Sequence, residues 1–234
     1  MRLDVAITIK KLVDSREKAK FLIREGYVKV DGVVITKPSK DVSEKSKIVL
    51  TKDFEFVGRG GYKLDAAVKH FKIDFKDKVV ADVGCSTGGF TDYALKKGAR
   101  KIYSIDIGDP LCETLRKDKR VVYMPNSDAR NIKSLDEKID ICLIDVNFLP
   151  LKEILLVVKN WLKNNGEVLG LIKPPFELLG KPKKIHNYKK CFEIAKNVSN
   201  WASKNGYEVK GLIASKLKGK SSKQQEFFIY LIKK

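Results

Sequence analysis

The segment VVADVGCSTGGF, residues 79–90, joins a short apolar run to a turn built from glycine and small hydroxyl residues. Val79, Val80, Ala81 and Val83 surround Asp82 in a run of strand length, and Gly84, Gly88 and Gly89 then break it ahead of a helix-forming stretch. A strand, a glycine turn and a helix in that order open a doubly wound sheet, whose ligands bind beyond the carboxyl ends of its strands. The pattern repeats downstream in KIYSID (101–106), VVYMP (121–125), DICLIDV (140–146) and EVLGLIK (167–173). Each run is followed by polar or helical sequence, so the expected fold class is α/β, a mostly parallel sheet with helices on both faces. A long helix over NYKKCFEIAKNVSNWASKNG (187–206) and two late runs, YEVKGLIA (207–214) and EFFIYLIK (226–233), complete it.

Upstream the texture differs. Asp14 or Ser15 suits a helix N-cap, SREKAKFLIREG carries Ala19, Leu22 and Ile23 on one face, and Gly26 ends the helix. Asp31-Gly32 between VKV and VVI signals a hairpin, and KIVL (47–50) supplies another strand. Residues 1–52 are therefore expected as a small α+β recognition domain, 53–62 as a linker broken by Gly58, Gly60 and Gly61, and 63–234 as the sheet domain.

Of the formal charge of +19, residues 1–52 hold +6, residues 53–179 only +2, and residues 180–234 the remaining +11. Positive ends around a near-neutral middle suit a polyanion, because each neutralised phosphate releases counterions. No apolar run approaches the roughly 18 residues of a membrane helix, and the start lacks the pattern of a signal peptide. Cys85, Cys112, Cys142 and Cys191 are widely spaced, and His70 and His186 are the two histidines. No metal set is expected from them, and a reduced, cytoplasmic setting fits best.

The turn after Gly84 is not the dinucleotide fingerprint, since Cys85, Ser86 and Thr87 separate it from Gly88. Asp106 ends the next strand, 24 residues beyond Asp82, where a carboxylate can grip a ribose diol. An acid opening the turn and another after the second strand suit a cationic adenosyl ligand better than a pyrophosphate, so S-adenosylmethionine is the expected cofactor. Its candidate contacts are Asp82, Gly84, Ser86, Gly88, Phe90, Asp106 and Asp145. Asp128, in NSDAR, either accepts from the adenine amino group or caps a helix.

Asp145 and Lys173 both end strands expected to be neighbours, and an apolar strand ending in a lone lysine needs an anionic partner. Lys63, in RGGYKL, and Glu226, opening the last run, could complete a Lys-Asp-Lys-Glu cluster. These motifs, RGGYKL, DVGCSTGGFTD, LIDVNFLPL and IKPPFE, resemble those of the TlyA-type (haemolysin A) family of ribosomal RNA 2′-O-ribose methyltransferases. The opening RLDVAI, SREKAKFLIREGYVKVDGVV and KPS resembles the S-four-type RNA-binding domain that precedes the FtsJ-like catalytic domain in that family. The resemblance implies a Rossmann-like methyltransferase domain with a seven-stranded sheet and a catalytic tetrad at Lys63, Asp145, Lys173 and Glu226. It also implies cytidine as the nucleotide and RNA contacts from the basic side chains Arg2, Arg16, Lys20, Arg24, Lys29 and Arg59.

In this chemistry the sulfonium methyl is already activated and the 2′-hydroxyl is a poor nucleophile, so the enzyme must align the two and help the proton leave. Lys173 is the expected general base or alkoxide stabiliser, Asp145 its orienting partner, and Lys63 and Glu226 the groups positioning the ribose and the neighbouring base. The chain departs from the family at Lys223-Gln224-Gln225-Glu226, where a Gly-Asn-x-Glu run is usual, and at IGDPLCETL, where Gly-Tyr-Gly-Gln-Leu is usual. The short start, with Arg2 already inside the module, inclines the expectation toward large-subunit RNA. Two other readings are a non-catalytic RNA-binding or ribosome-assembly protein and a membrane-active haemolysin.

Overall fold

The computed structural model of the chain describes residues 1–13, 15–51, 56–178, 185–217 and 224–234. In the N-terminal unit, α1 (Leu3–Ile9) and α2 (Arg16–Arg24) pack on a three-stranded sheet of order β2-β1-β3. These strands are β1 (Val28–Val30), β2 (Val33–Val34) and β3 (Ile48–Leu50). Ser15 caps α2, accepting from the Lys18 N–H at 3.2 Å; Asp14, the alternative cap, lies outside the described residues. Asp31 and Gly32 both take positive φ, 50° and 86°, which turns β1 into β2. Leu3, Ile7, Leu22, Ile23 and Val28 form a core of their own.

The rest of the chain runs α3 (Arg59–Phe71), β4 (Val79–Val83), α4 (Gly89–Lys96), β5 (Lys101–Ile105), α5 (Glu113–Arg116) and β6 (Val121–Met124). It continues with β7 (Ile139–Ile144), α6 (Leu151–Val158), β8 (Leu162–Ile172), α7 (Tyr188–Lys204), β9 (Tyr207–Ala214) and β10 (Phe227–Lys233). The seven strands are ordered β6-β5-β4-β7-β8-β10-β9. Strands β4 to β8 are parallel neighbours, and β10 inserts antiparallel between β8 and β9. Alternation along β4 decides what covers each face: Val79, Ala81 and Val83 pack toward α6 and α7, whereas Val80 packs toward α3 and α4.

Two boundaries differ from expectation. Helix α3 begins at Arg59, so residues 59–62 are helical rather than linker. Gly60 and Gly61 serve close packing there, since a Cβ on Gly61 would sit 2.5 Å from the Phe56 ring. Strand β8 begins at Leu162 rather than Glu167, with a register shift that takes Asn165 to a φ of 60°.

The order of the sheet reverses at β4, whose neighbours are β5 on one side and β7 on the other. Their carboxyl ends therefore splay around a crevice, the place such sheets bind ligands.

Candidate active site

A cleft of about 1240 Å³ opens at that reversal. Gly84 follows β4 at a φ of +80°, and a Cβ there would lie 2.6 Å from the Asp145 carbonyl oxygen. Only glycine lets the two strand ends approach this closely. Gly84, Ser86 and Phe90 line the cleft, as do Asp106, Asp128 and Asp145. The Asp106 carboxylate accepts from the Ser86 N–H at 2.8 Å and the Gly108 N–H at 2.9 Å, which fixes it at the end of β5. Asp128 caps the turn Ala129–Asn131 and pairs with Arg130 at 2.7 Å, and this guanidinium lowers its pKa. Three carboxylates around a glycine cradle fit a cationic adenosyl group, whereas a pyrophosphate would meet repulsion.

Asp82 and Gly88 are placed otherwise. Asp82 is fully buried behind the turn, and its Oδ2 accepts from the Thr91 hydroxyl at 2.7 Å. Burial pushes its pKa up to about 7, against the hydrogen bond from Thr91. Gly88, at a φ of +98°, packs on Leu111 and Leu115 rather than facing the cleft. Both shape the turn from beneath.

The four tetrad candidates meet in the same cleft. Lys63, one turn into α3, places Nζ 2.6 Å from Glu226 Oε2, just ahead of β10. Lys173, at the end of β8, places Nζ 2.5 Å from Asp145 Oδ1. The angle of that contact makes it an ion pair rather than a directed hydrogen bond; the directed bond goes from Lys173 to Asn147 Oδ1 at 2.8 Å. Lys63, Lys173 and Glu226 are 9%, 7% and 5% exposed, so each charge is compensated inside the protein rather than by water. Burial raises the Glu226 pKa, and the charge of Lys63 opposes the rise.

Sequence reasoning named neither Asn147 nor Phe148 as site residues, though both stand in the quoted run LIDVNFLPL. Phe148 is 82% exposed, has a φ of +61° and faces Phe176 with ring centroids 5.1 Å apart. Asp92, in the same motif as the turn, accepts from the Val57 N–H at 2.9 Å and ties the segment before α3 to α4. Gln224 accepts from the Ile185 N–H and donates to the Ile185 carbonyl, both at 2.9 Å, setting the approach to Glu226; Lys223 lies outside the described residues.

The candidate RNA contacts divide into two sets. Lys20 and Arg24, on α2, and Arg59 line the outer rim of the cleft, where Phe21 stacks on Tyr62 at 6.3 Å. Lys29 is exposed on β1. Arg2 and Arg16 instead each place Nε 2.9 Å from the fully buried Asp4. The hydrogen bond from Arg2 is the largest influence holding that carboxyl down to about 2. Among the described residues no group of His, Cys, Asp and Glu could hold a metal, and no helix is long and apolar enough to cross a membrane.

Residues 56–233 match the FtsJ-like methyltransferase family and residues 1–48 the S4 domain. The chain is 30% identical to the 16S/23S rRNA (cytidine-2'-O)-methyltransferase TlyA of Mycobacterium tuberculosis, over 98% of its own length and 89% of the relative's. It is also 30% identical to the 23S rRNA (cytidine-2'-O)-methyltransferase TlyA of Campylobacter jejuni, over 75% of this chain and 71% of that one. Among solved structures it is similar to one named "Putative hemolysin from Streptococcus thermophilus", with a TM-score of 0.78, 31% identity and coverage of 100% of this chain and 88% of that one. An S4 domain ahead of a methyltransferase sheet with a Lys-Asp-Lys-Glu cleft thus places the chain in the TlyA-type (haemolysin A) family of FtsJ-like methyltransferases.

Proposed function

We propose that the protein transfers the methyl group of S-adenosylmethionine to the 2′-hydroxyl of a cytidine in ribosomal RNA. The observation that carries this reading is the convergence of Lys63–Glu226 and Lys173–Asp145 in one cleft beside the Gly84 turn. When bound, S-adenosylmethionine supplies an activated methyl electrophile. Gly84 and Ser86 cradle it, Asp106 holds its ribose, Asp128 flanks its adenine, and Asp145 offsets its positive charge. Lys173 is ion-paired with Asp145 and donates one hydrogen bond to Asn147, which would leave N–H groups of its ammonium for the ribose oxygen. That ammonium would neutralise negative charge on the oxygen, whose proton passes to water as it takes the methyl group from the sulfonium sulfur and leaves a neutral thioether. Lys63, fixed by Glu226, holds the neighbouring phosphate or base. Lys20, Arg24 and Arg59 carry the RNA backbone across the rim, and phosphate contacts of this kind position a strand without reading its sequence.

Both TlyA relatives carry 23S rRNA in their names, so large-subunit RNA is the favoured substrate. Incubating the purified protein with labelled S-adenosylmethionine and each ribosomal subunit tests the reading. Label in large-subunit RNA supports it; label in neither subunit would refute it. The haemolysin reading has no structural support among the described residues, where no helix is long and apolar enough to cross a membrane.

A further inference from the structure

Helix α6 follows directly on the loop that carries Asp145, Asn147 and Phe148, and Pro150 stands at its N-cap with no side-chain acceptor for the first turn. The acceptor comes from elsewhere: Glu177 Oε1 receives the Leu151 N–H at 2.8 Å. Glu177 stands four residues after Lys173, at the end of the turn Pro174–Phe176, whose Phe176 N–H donates to the Lys173 carbonyl at 2.8 Å. One hydrogen bond therefore joins the segment that carries Asp145 and Asn147 to the segment that carries Lys173. Three further contacts cross the same gap: Lys173 to Asp145 at 2.5 Å, Lys173 to Asn147 at 2.8 Å, and Phe148 to Phe176 at 5.1 Å. The second oxygen, Oε2, is buried with no hydrogen-bond partner among the described residues. Keeping it out of water is a cost that a purely superficial cap would not incur.

Resting on the methyl-transfer reading, we propose that Glu177 is a positioning residue, which clamps the loop after β7 to the turn after β8 and so sets the spacing of Asp145, Asn147 and Lys173. It is not among the residues that line the cleft. Burial, opposed by the Leu151 N–H and Lys152, pushes its pKa up to about 7, and the Leu151 N–H needs from it an acceptor oxygen that a neutral amide also supplies. Glutamine keeps that acceptor, while methionine keeps the length and loses it.

Wild type, Glu177→Gln and Glu177→Met are compared by turnover on ribosomal RNA, affinity for S-adenosylmethionine, thermal melting and hydrogen exchange at the Leu151 amide. In Glu177→Gln, turnover should stay within about threefold of wild type and the amide should stay protected. In Glu177→Met, the amide should lose protection and turnover should fall by about tenfold or more, because small misplacements of reacting groups are costly. KM and cofactor affinity should change less than kcat in both, since Gly84 and Asp106 belong to other strands. A folded Met variant with turnover within about threefold of wild type, or a Gln variant as impaired as Met, would overturn the proposal. Should Met fail to fold, the Gln variant alone decides, since an impaired Gln variant excludes the acceptor clamp and an unimpaired one with a protected Leu151 amide upholds it. Inactive wild-type protein would overturn the functional reading itself and this proposal with it.

Discussion

Lys63 Nζ and Glu226 Oε2 lie 2.6 Å apart although 163 residues separate them in sequence. The contact fastens α3, the first helix of the catalytic unit, to the lead-in of β10, its last strand. Removing one member of a buried pair leaves the other uncompensated, at a cost of about 3–5 kcal/mol when burial is complete. Lys63→Met should be the milder change, because burial already favours the neutral form of Glu226. Glu226→Gln should be the harsher. The double variant should regain most of the stability lost in Glu226→Gln and remain inactive. Denaturant midpoints and turnover for all four proteins check this, and a double variant less stable than either single one would contradict it.

Asp106→Ala should weaken S-adenosylmethionine binding by about ten- to a hundred-fold, the worth of a charged bidentate hydrogen bond of about 1.5–3 kcal/mol. Calorimetry gives the number directly. Unchanged affinity, or tighter binding of a nicotinamide dinucleotide, would contradict the cofactor site.

Asp82 gives a pH signature. Its folded pKa of about 7 lies above the ordinary value of 3.8, so the fold favours the protonated form. Its contribution to stability is full below the ordinary value and is lost as pH rises through about 7. Asp82→Asn, which retains an acceptor for Thr91, should remove that part of the pH dependence and be the more stable protein above neutrality. Melting curves from pH 4 to pH 8 would contradict the assignment if the two proteins ran parallel.

The two sets of basic residues should behave differently. Lys20→Ala with Arg24→Ala should weaken RNA binding and flatten the plot of log affinity against log salt by about one to two units, as two phosphate contacts are lost. Cofactor affinity should hold. Arg16→Ala should instead destabilise the N-terminal unit, because Asp4 is fully buried and keeps Arg2 alone. Equal salt slopes for wild type and the Lys20/Arg24 variant would remove α2 from the RNA path.

Much of this was legible in the sequence because it is local. Strand runs, the glycine turn, the Asp31-Gly32 hairpin and the Ser15 cap are set by neighbours along the chain and appear where the pattern puts them, apart from the early start of β8 at Leu162. Asp145 and Lys173 could be located because strand ends of such sheets gather ligands. What was not legible depends on contacts between distant segments. Gly60 and Gly61 read as breakers, yet both lie within α3, where the lack of a side chain lets Phe56 and Gly89 pack close. Asp82 read as a ligand, yet alternation along β4 turns it to Thr91. Arg2 and Arg16 read as RNA contacts, and their pairing with the buried Asp4 gives each of them a second, structural role. Glu177 looks like one more strand-end acid, and only the missing cap at Pro150 explains it.

The central claim is transfer to a ribose oxygen under the control of Lys173. Large-subunit RNA treated with wild-type or Lys173→Met protein and S-adenosylmethionine, then digested to nucleosides and weighed by mass spectrometry, tests it most directly. Wild type should yield 2′-O-methylcytidine, and Lys173→Met should yield about a hundredfold less with cofactor affinity retained, since the ammonium acts in the transition state rather than in binding. A methyl group on the base instead of the ribose, or a Lys173→Met rate within about threefold of wild type, would contradict the account.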